Sequence, residues 1–245
     1  MWRFNMKKKY YNLASLCLAL LILIVLYQQG KDAVRLMMEP KDSVMIAIDA
    51  GHGGFDPGKV GVNKALEKDI NLSIALKLKD VLEQNNIKVL MTREDEKGLY
   101  KPTDSDKKHV DMRNRVSIIN SSNAKFAISI HQNSFTQESS KGAQVFYYSN
   151  SEQGKIIAET IQERIKLTLN DGNKRLAKAN GTYYMLKNTN CPLVIVECGF
   201  LSNWKEAELL CTEEYRDKVV WAIYLGIMDY LNINKLSFNF TGLKG

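Results

Sequence analysis

The sequence predicts an α/β fold, in which a single β-sheet is covered by helices on both faces. Short apolar runs of strand length alternate with longer segments whose apolar residues recur at helical spacing, almost throughout residues 43–232. This alternation is typical of α/β domains. The composition, with 45% hydrophobic and 25% charged residues over 245 positions, excludes a disordered or multispan membrane protein and fits one domain with a short appendage.

Strands are predicted where short apolar runs stop at glycine, asparagine or charged residues. We expect them at 44–50, 87–91, 126–130, 142–148 and 193–196, with a further short strand at 183–186. The polar segment 171–180, which precedes this short strand, is expected to be a loop.

Helices are predicted where apolar residues lie three or four positions apart. The clearest example is 67–84, in which Ile70, Ile74, Leu78 and Leu82 form one apolar stripe before Asn85 ends the pattern. The other helices are expected at 110–120, 153–169, 204–210 and 213–231. Residues 233–245 are expected to form a C-terminal tail, loose from residue 237 onward.

The first thirty residues differ from the rest of the chain. Arg3 and Lys7–Lys9 precede an uncharged stretch, 10–30, whose apolar centre spans 16–27. A basic start before a short apolar segment indicates a membrane anchor or a cleaved signal peptide. We expect an uncleaved anchor, because no obvious small-x-small cleavage site follows, although the segment is marginal against the roughly 20 residues of a spanning helix. A polar linker, 31–42, then leads to the exported domain, 43–232.

Charge and cysteine content exclude two further classes of protein. Four of the seven net positive charges lie in the anchor region, which leaves +3 for residues 31–245, compatible with an anionic wall polymer but not with a nucleic-acid-binding surface. The domain contains only Cys191, Cys198 and Cys211. The first two flank a predicted strand and lie too far apart to pair, so we expect free buried thiols and not a disulfide framework.

Three predicted strands end at residues that can carry chemistry. His52 follows the first strand, His131 follows the strand at 126–130, and Glu197 follows the strand at 193–196. Open α/β sheets bind ligands beyond the carboxyl ends of their strands, so we expect these side chains to meet. Glu67, at a predicted helix start, could complete the two-histidine, one-carboxylate shell of a catalytic zinc. Glu197 is then the candidate base that moves the proton of the attacking water.

Each of these residues also has a purely structural interpretation. A histidine at a strand end often only satisfies a hydrogen bond, and Glu67 could serve as an acidic first-turn residue. Glu197 could form an ion pair with Arg93 or Arg113, since a carboxylate at the end of an apolar strand needs a partner. His109 lies among charged residues and is expected to be a solvated loop residue.

At these residues the chain resembles the zinc-dependent N-acetylmuramoyl-L-alanine amidases of the amidase-3 family. The matching motifs occur in the family's order at 48–54, Glu67, 129–133 and 196–203, with intervening blocks at 92–93 and 112–115. The resemblance covers about residues 43–232. It implies a single domain with a twisted, mostly mixed sheet flanked by helices.

The resemblance also implies a site and a reaction. Zinc would be held by His52, Glu67 and His131, with Glu197 as the catalytic glutamate. The reaction would be hydrolysis of the amide between the lactyl group of muramic acid and the L-alanine of peptidoglycan stem peptides. Two residues depart from the family pattern, Cys198 after the catalytic glutamate and Gln132 after the second histidine. Neither departure removes a ligand.

A bare domain behind a short hydrophobic segment is similar to the amidases that mature spore cortex peptidoglycan, where stem-peptide removal allows muramic-δ-lactam to form. The expected partners are peptidoglycan and, through the N-terminal segment, the membrane, with no nucleic acid; the need for an activating protein is left open. The expected location is the outer face of the cytoplasmic membrane or the cell wall, and the forespore intermembrane space if the cortex interpretation holds.

Four alternatives are weighed against this interpretation. The first is a vegetative autolysin, and the second is a zinc exopeptidase-like hydrolase acting on free peptides, which the Glu197-x-Gly199-Phe200 block disfavours. A non-catalytic scaffold would have lost a ligand or Glu197, and all four residues are present. A thiol mechanism through Cys198 is disfavoured because its sequence surroundings contain no activating group.

Overall fold

The computed structural model describes residues 18, 20–29 and 44–241, with side chains as far as residue 232. The chain divides into two compact units, 1–43 and 44–245. In the first unit, residues 20–29 are helical. Within the described part of the chain, no helix combines the length and the apolarity needed to cross a membrane. Most of the predicted anchor and the whole linker at 31–42 lie outside the described residues.

The second unit is built on a mixed sheet, as the resemblance implies. Its strands are β1 (Met45–Ala50), β2 (Lys88–Met91), β3 (Phe126–Asn133), β4 (Gln144–Tyr148), β5 (Lys178–Asn180) and β6 (Leu193–Phe200). They lie in the order β2-β1-β3-β6-β4-β5. The first four strands in this order are mutually parallel, whereas β4 runs antiparallel to β6 and parallel to β5. The carboxyl ends of β1, β3 and β6 therefore meet at one edge.

Helices cover both faces of this sheet, which confirms the predicted fold class. They are α1 (Glu67–Gln84), α2 (Lys107–Asn120), α3 (Glu152–Leu169), α4 (Tyr184–Asn188), α5 (Trp204–Leu210) and α6 (Glu213–Thr241). Successive residues of a strand contribute side chains to opposite faces of the sheet, because side chains alternate along a strand. Ile46 and Ile48 join a large core with α1, α3 and α6. Ala47 joins a smaller core with Val116 of α2 and Met185 of α4.

The segment predicted as a strand at 183–186 is instead the short helix α4. Its polar side chains bond back to the backbone: Asn188 Nδ2 donates to the Tyr184 carbonyl and Thr189 Oγ1 to the Met185 carbonyl. A run of four apolar residues cannot by itself distinguish a buried helix from a strand. The predicted loop at 171–180 contains β5, a polar strand at the sheet edge that pairs with β4. Its polar sequence lacks the alternation that would have revealed it.

Two helix boundaries also differ from the prediction. Helix α2 begins at Lys107, because the Asp106 side chain caps it by accepting the His109 N–H. His109 is therefore a first-turn helix residue and not a loop residue, although it is exposed as expected. Helix α6 continues to Thr241, beyond the predicted end at residue 231 and into the predicted tail, since residues 232–241 contain neither glycine nor proline.

The three thiols of the second unit are free, and their exposure differs. Cys198 is buried and Cys191 is partly buried, but Cys211 is exposed. The expectation of buried thiols is therefore wrong for Cys211. Cys211 directly follows the short helix α5. Seven residues are too few for the apolar pattern to show which side of that helix end is buried.

Candidate metal centre

The three predicted ligands converge at the sheet edge where β1 and β3 end. His52 follows β1, Glu67 opens α1 and His131 lies within β3, and one ligand atom from each lies within 4.8 Å of the others. Glu67 Oε1 is 2.9 Å from His131 Nδ1 and 3.2 Å from His52 Nε2. The two imidazole rings meet edge to face with their centroids 5.0 Å apart. This grouping is compact enough for one cation.

The backbone at Gly51 and His52 has a conformation that allows the two imidazole rings to come together. His52 has a φ of 62°, in the left-handed region that a residue with a Cβ seldom occupies. A Cβ at Gly51 would lie 2.3 Å from the His131 ring. Only glycine at position 51 therefore allows His131 to approach this close.

A buried arginine stabilises this turn through hydrogen bonds. Arg115 of α2 donates Nη1 to Asp49 Oδ1 at 2.8 Å and Nε to Asp111. It also donates to the carbonyls of Ala50 and His52. The carbonyls that the turn leaves without ladder partners are thus satisfied inside the protein.

The Asp49 carboxylate is the more deeply buried of the two anionic partners of Arg115. It accepts hydrogen bonds from Thr92 Oγ1 at 2.7 Å and Ser129 Oγ at 2.6 Å as well as from Arg115. Burial alone would raise the pKa of Asp49, but Arg115 and the two hydroxyls lower it from 3.8 to about 2. The side chain is therefore a permanent anion beneath the turn.

Arg93 supports the same turn and does not pair with Glu197. Its Nε donates to the Ala50 carbonyl at 2.8 Å and its Nη2 to the Gly51 carbonyl at 3.0 Å. Arg113, the other candidate partner of Glu197, is exposed on α2. Among the described residues, neither arginine forms an ion pair with Glu197, so the interpretation of that glutamate as half of a structural ion pair is wrong.

A carboxylate that the sequence analysis missed orients the first histidine. Asp56 Oδ2 lies 2.8 Å from His52 Nδ1, which leaves Nε2 facing Glu67. Carboxylates in this position fix the ring orientation of metal-binding histidines. Burial acts to lower the pKa of His52, but Asp56 and Glu67 together raise it from 6.5 to about 9. The surroundings of the ring thus favour positive charge.

Glu67 is held by backbone donors on both sides. The N–H groups of Lys59 and Gln132 donate to its two carboxylate oxygens at 2.7 Å and 3.0 Å. Burial acts to raise its pKa, yet His131 and His52 hold it well below its usual range. Gln132, one of the two departures from the family pattern, also donates its side-chain amide to Asn71 Oδ1 at 3.1 Å. It therefore packs behind the site without displacing any of the three converging side chains.

Glu197 lies beside this cluster in a different environment. It is paired in register with His131 across β3 and β6. Its Oε2 is buried and has no hydrogen-bond partner among the described residues. Burial raises the pKa of Glu197 from 4.5 to about 7, with Glu67 adding to the effect and His131 opposing it. A carboxyl group poised near neutral pH is typical of general acid–base catalysis.

A cavity of about 250 Å³ opens onto the two histidines and Glu197. Its far wall comes from α2 and α4 and includes Lys108 and Tyr183, neither of which the sequence indicated as a site residue. Tyr183 is 39% exposed, and burial together with Glu197 raises its pKa. Because α4 was predicted as a strand, its contribution to this wall could not be foreseen from the sequence.

Comparison with known proteins supports a single family. The family model for N-acetylmuramoyl-L-alanine amidase matches residues 46–229. The germination-specific N-acetylmuramoyl-L-alanine amidase of Bacillus subtilis is 37% identical over 222 residues, which cover 88% of this chain and 93% of that protein.

Solved structures agree with this assignment. The CwlD amidase of Clostridioides difficile, solved in complex with the GerS lipoprotein, is 44% identical with a TM-score of 0.76, covering 78% of this chain and 100% of that one. The catalytic domain of CwlV, an amidase from Bacillus (Paenibacillus) polymyxa var. colistinus, is 30% identical with a TM-score of 0.67 over 77% of this chain and 98% of that one. The chain belongs to the N-acetylmuramoyl-L-alanine amidase family.

Proposed function

We propose that this amidase holds a zinc ion with His52, Glu67 and His131 and uses Glu197 as its catalytic glutamate. The observation that supports this assignment is the convergence of two imidazoles and a carboxylate within 4.8 Å, next to a second carboxylate with a buried, unpartnered oxygen. The substrate is the amide between the lactyl group of muramic acid and the L-alanine of the stem peptide.

The donor set fits zinc in particular. Two imidazole nitrogens and one carboxylate oxygen are the ligands of many catalytic zinc sites and leave a fourth position open. Asp56 behind His52 supplies the outer carboxylate that such sites commonly contain. When bound, zinc would supply a Lewis acid for the scissile carbonyl and would lower the pKa of water.

The protein's own groups account for the proton transfers. Glu197 Oε2, which has no internal hydrogen-bond partner in the described part of the chain, is available to accept a proton from the attacking water. With a pKa of about 7, the same carboxyl group can return the proton to the leaving nitrogen. The peptide then departs as a free amine, and the lactyl group is left as a carboxylate.

We further propose that the physiological substrate is spore cortex peptidoglycan. This step is supported by the 37% identity to a germination-specific amidase and by the 44% identity to CwlD. Because that CwlD was solved with a lipoprotein, a protein partner is proposed for this chain as well. We propose that the N-terminal segment anchors the domain at the outer face of the cytoplasmic membrane. A vegetative wall amidase is the second candidate.

The test uses the purified full-length chain with and without zinc on intact peptidoglycan. Mass spectrometry should detect, only with zinc, stem peptides beginning with L-alanine and muramic acid without peptide. Zinc-independent release, or fragments cut at another bond, would contradict the assignment. Loss of muramic-δ-lactam from the cortex of a deletion strain would separate the cortex role from the vegetative one.

A further inference from the structure

A second cleft, of about 460 Å³, lies beyond the carboxyl end of β6 and shares no lining residue with the cavity of the metal centre. It is formed by the segment before β4, the loop after α3 and the region of α5. Four cationic side chains border it: Lys141, Lys174, Arg175 and Lys205. Nothing in the proposed reaction at the metal centre uses them.

The two acids of this cleft are occupied by internal hydrogen bonds. Glu206 is buried, and its two carboxylate oxygens accept the N–H groups of Gly142 and Phe200, each at 2.7 Å. Asp171 Oδ1 accepts the Asn173 N–H at 2.9 Å. By contrast, among the described residues none of the three lysines of the cleft forms an ion pair. Glu206 is buried while Asp171 stays exposed, so the four cations outnumber the two acids and leave the cleft with a net positive charge that suits an anion.

Arg175 is the best-positioned of these cations. Its Nε donates to the Lys141 carbonyl at 2.8 Å and its Nη1 to Gln144 Oε1 at 3.2 Å. The guanidinium lies over the Phe200 ring, 4.8 Å from its centroid. Its Nη2 has no hydrogen-bond partner in the described part of the chain. A guanidinium held on one edge and open on the other is well suited to bind a carboxylate.

The contacts of Arg175 lead directly to the catalytic glutamate. Gln144, which accepts from Arg175, is the antiparallel partner of Glu197 in the sheet. Residues paired in this way project their side chains on the same face, with Cβ atoms about 5 Å apart. A single side chain thus separates the guanidinium from Glu197.

The distance also suits a short peptide. Phe200, which packs under Arg175, lies three residues beyond Glu197 along β6. A bulge in β6 sets these three steps against the two from His131 to Asn133 on β3, so the separation is roughly 7 Å at the rise of a strand. An extended peptide spans about the same length from its first residue to its third. A peptide whose first residue lies at the metal centre would therefore bring the carboxylates of its next residues to the cleft.

We propose that this cleft binds the carboxylates of the stem peptide, with Arg175 as the principal contact. The proposal rests on the function proposed above and deepens it, because it assigns the peptide side of the substrate to a defined surface. The amide is cleaved at the metal centre while the acidic remainder of the peptide lies along β6 toward Arg175.

The test compares two soluble substrates on the zinc-loaded full-length chain. One is an acetylmuramoyl tripeptide with free carboxylates on its second and third residues, and the other is the same compound with those carboxylates amidated. We expect amidation to raise KM about tenfold with little change in kcat, since a charged hydrogen bond is lost. Equal KM values for the two substrates would overturn the proposal.

Variants then separate binding from support of the fold. Arg175→Gln should abolish the preference for free carboxylates, and Lys174→Gln, on an exposed residue, should reduce it. Lys155→Gln, at an exposed position of α3 outside the cleft, serves as the matched control and should keep the preference. An Arg175→Gln enzyme whose KM rises equally for both substrates would show that Arg175 is only structural and would contradict the proposal.

Binding without turnover distinguishes failure of this proposal from failure of the proposed function. Calorimetry on Glu197→Gln should show tighter binding of the free-carboxylate compound. Preferential binding by a wild-type chain that hydrolyses neither compound would support the cleft and refute the amidase assignment of the site. Hydrolysis of both compounds with equal binding would refute the cleft alone.

Discussion

The two carboxylates of the candidate centre are close neighbours with opposite surroundings. Glu67 accepts two backbone N–H groups and lies against both imidazoles, so its pKa is held low. Glu197 has a buried oxygen with no hydrogen-bond partner in the described part of the chain, and its pKa rises to about 7. A glutamate side chain is thus a permanent anion at position 67, whereas at position 197 it titrates near neutral pH, as the proposed role of proton carrier requires. This difference predicts which substitution abolishes metal binding and which abolishes only turnover.

The largest effect is expected from a substitution among the three proposed metal ligands, which include Glu67. His52→Ala removes one of the three converging donors, and two ligands do not make a stable zinc site. We expect the purified variant to lack both stoichiometric zinc, measured by atomic emission, and activity. His109→Ala, at an exposed histidine of α2, is the matched control and should retain both. Normal zinc content in His52→Ala would remove this residue from the proposed ligand set.

The next largest effect is expected on turnover alone, from a substitution at Glu197. Glu197→Gln keeps the size of the side chain but removes the carboxyl group that we propose carries the proton, so turnover should fall about 10²–10⁴-fold. Zinc content should stay at the wild-type level, because Glu197 is not a proposed ligand. Full activity in this variant would refute its assignment as the catalytic glutamate, and loss of zinc would place it in the ligand set instead.

A smaller effect tests the orientation of the ligands. Asp56→Asn weakens the partner of His52 Nδ1, and losses of such outer partners reduce metal affinity about 10–100-fold. Zinc affinity measured against a competing chelator should show this change, with Asp80→Asn on the exposed side of α1 as the control. An unchanged affinity would mean that His52 is oriented without help from Asp56.

The comparison also shows what the sequence could predict. The span of α1, Glu67–Gln84, matches the predicted 67–84, because a long amphipathic stripe leaves little choice of boundary. His131 and Glu197 were expected just after their strands, whereas β3 and β6 extend through them; the strand pairing continues where the apolar pattern stops. Asp56 and Tyr183 had no periodic signal, since a turn and a four-residue apolar run bring them to the site only through tertiary contacts.

The smallest effect is expected on the stability of the fold at low pH, and it comes from the charge of Asp49 beneath the His52 turn. The pKa of Asp49 is about 2 in the folded protein, against 3.8 for the unfolded chain, so the folded state binds its proton less readily. This difference contributes about 2 kcal/mol of stability. The contribution is complete above about pH 4 and is lost as the pH falls toward 2.

Urea unfolding at a series of pH values between 2 and 6 measures this contribution, with Asp49→Asn as the comparison. The variant should be less stable above pH 4, because Arg115 then loses one of its two buried carboxylate partners. Its stability should also fall less steeply than that of the wild type between pH 4 and pH 2. Parallel acid profiles would show that Arg115 is neutralised by Asp111 alone, so that the turn beneath the metal centre depends on α2 and not on β1.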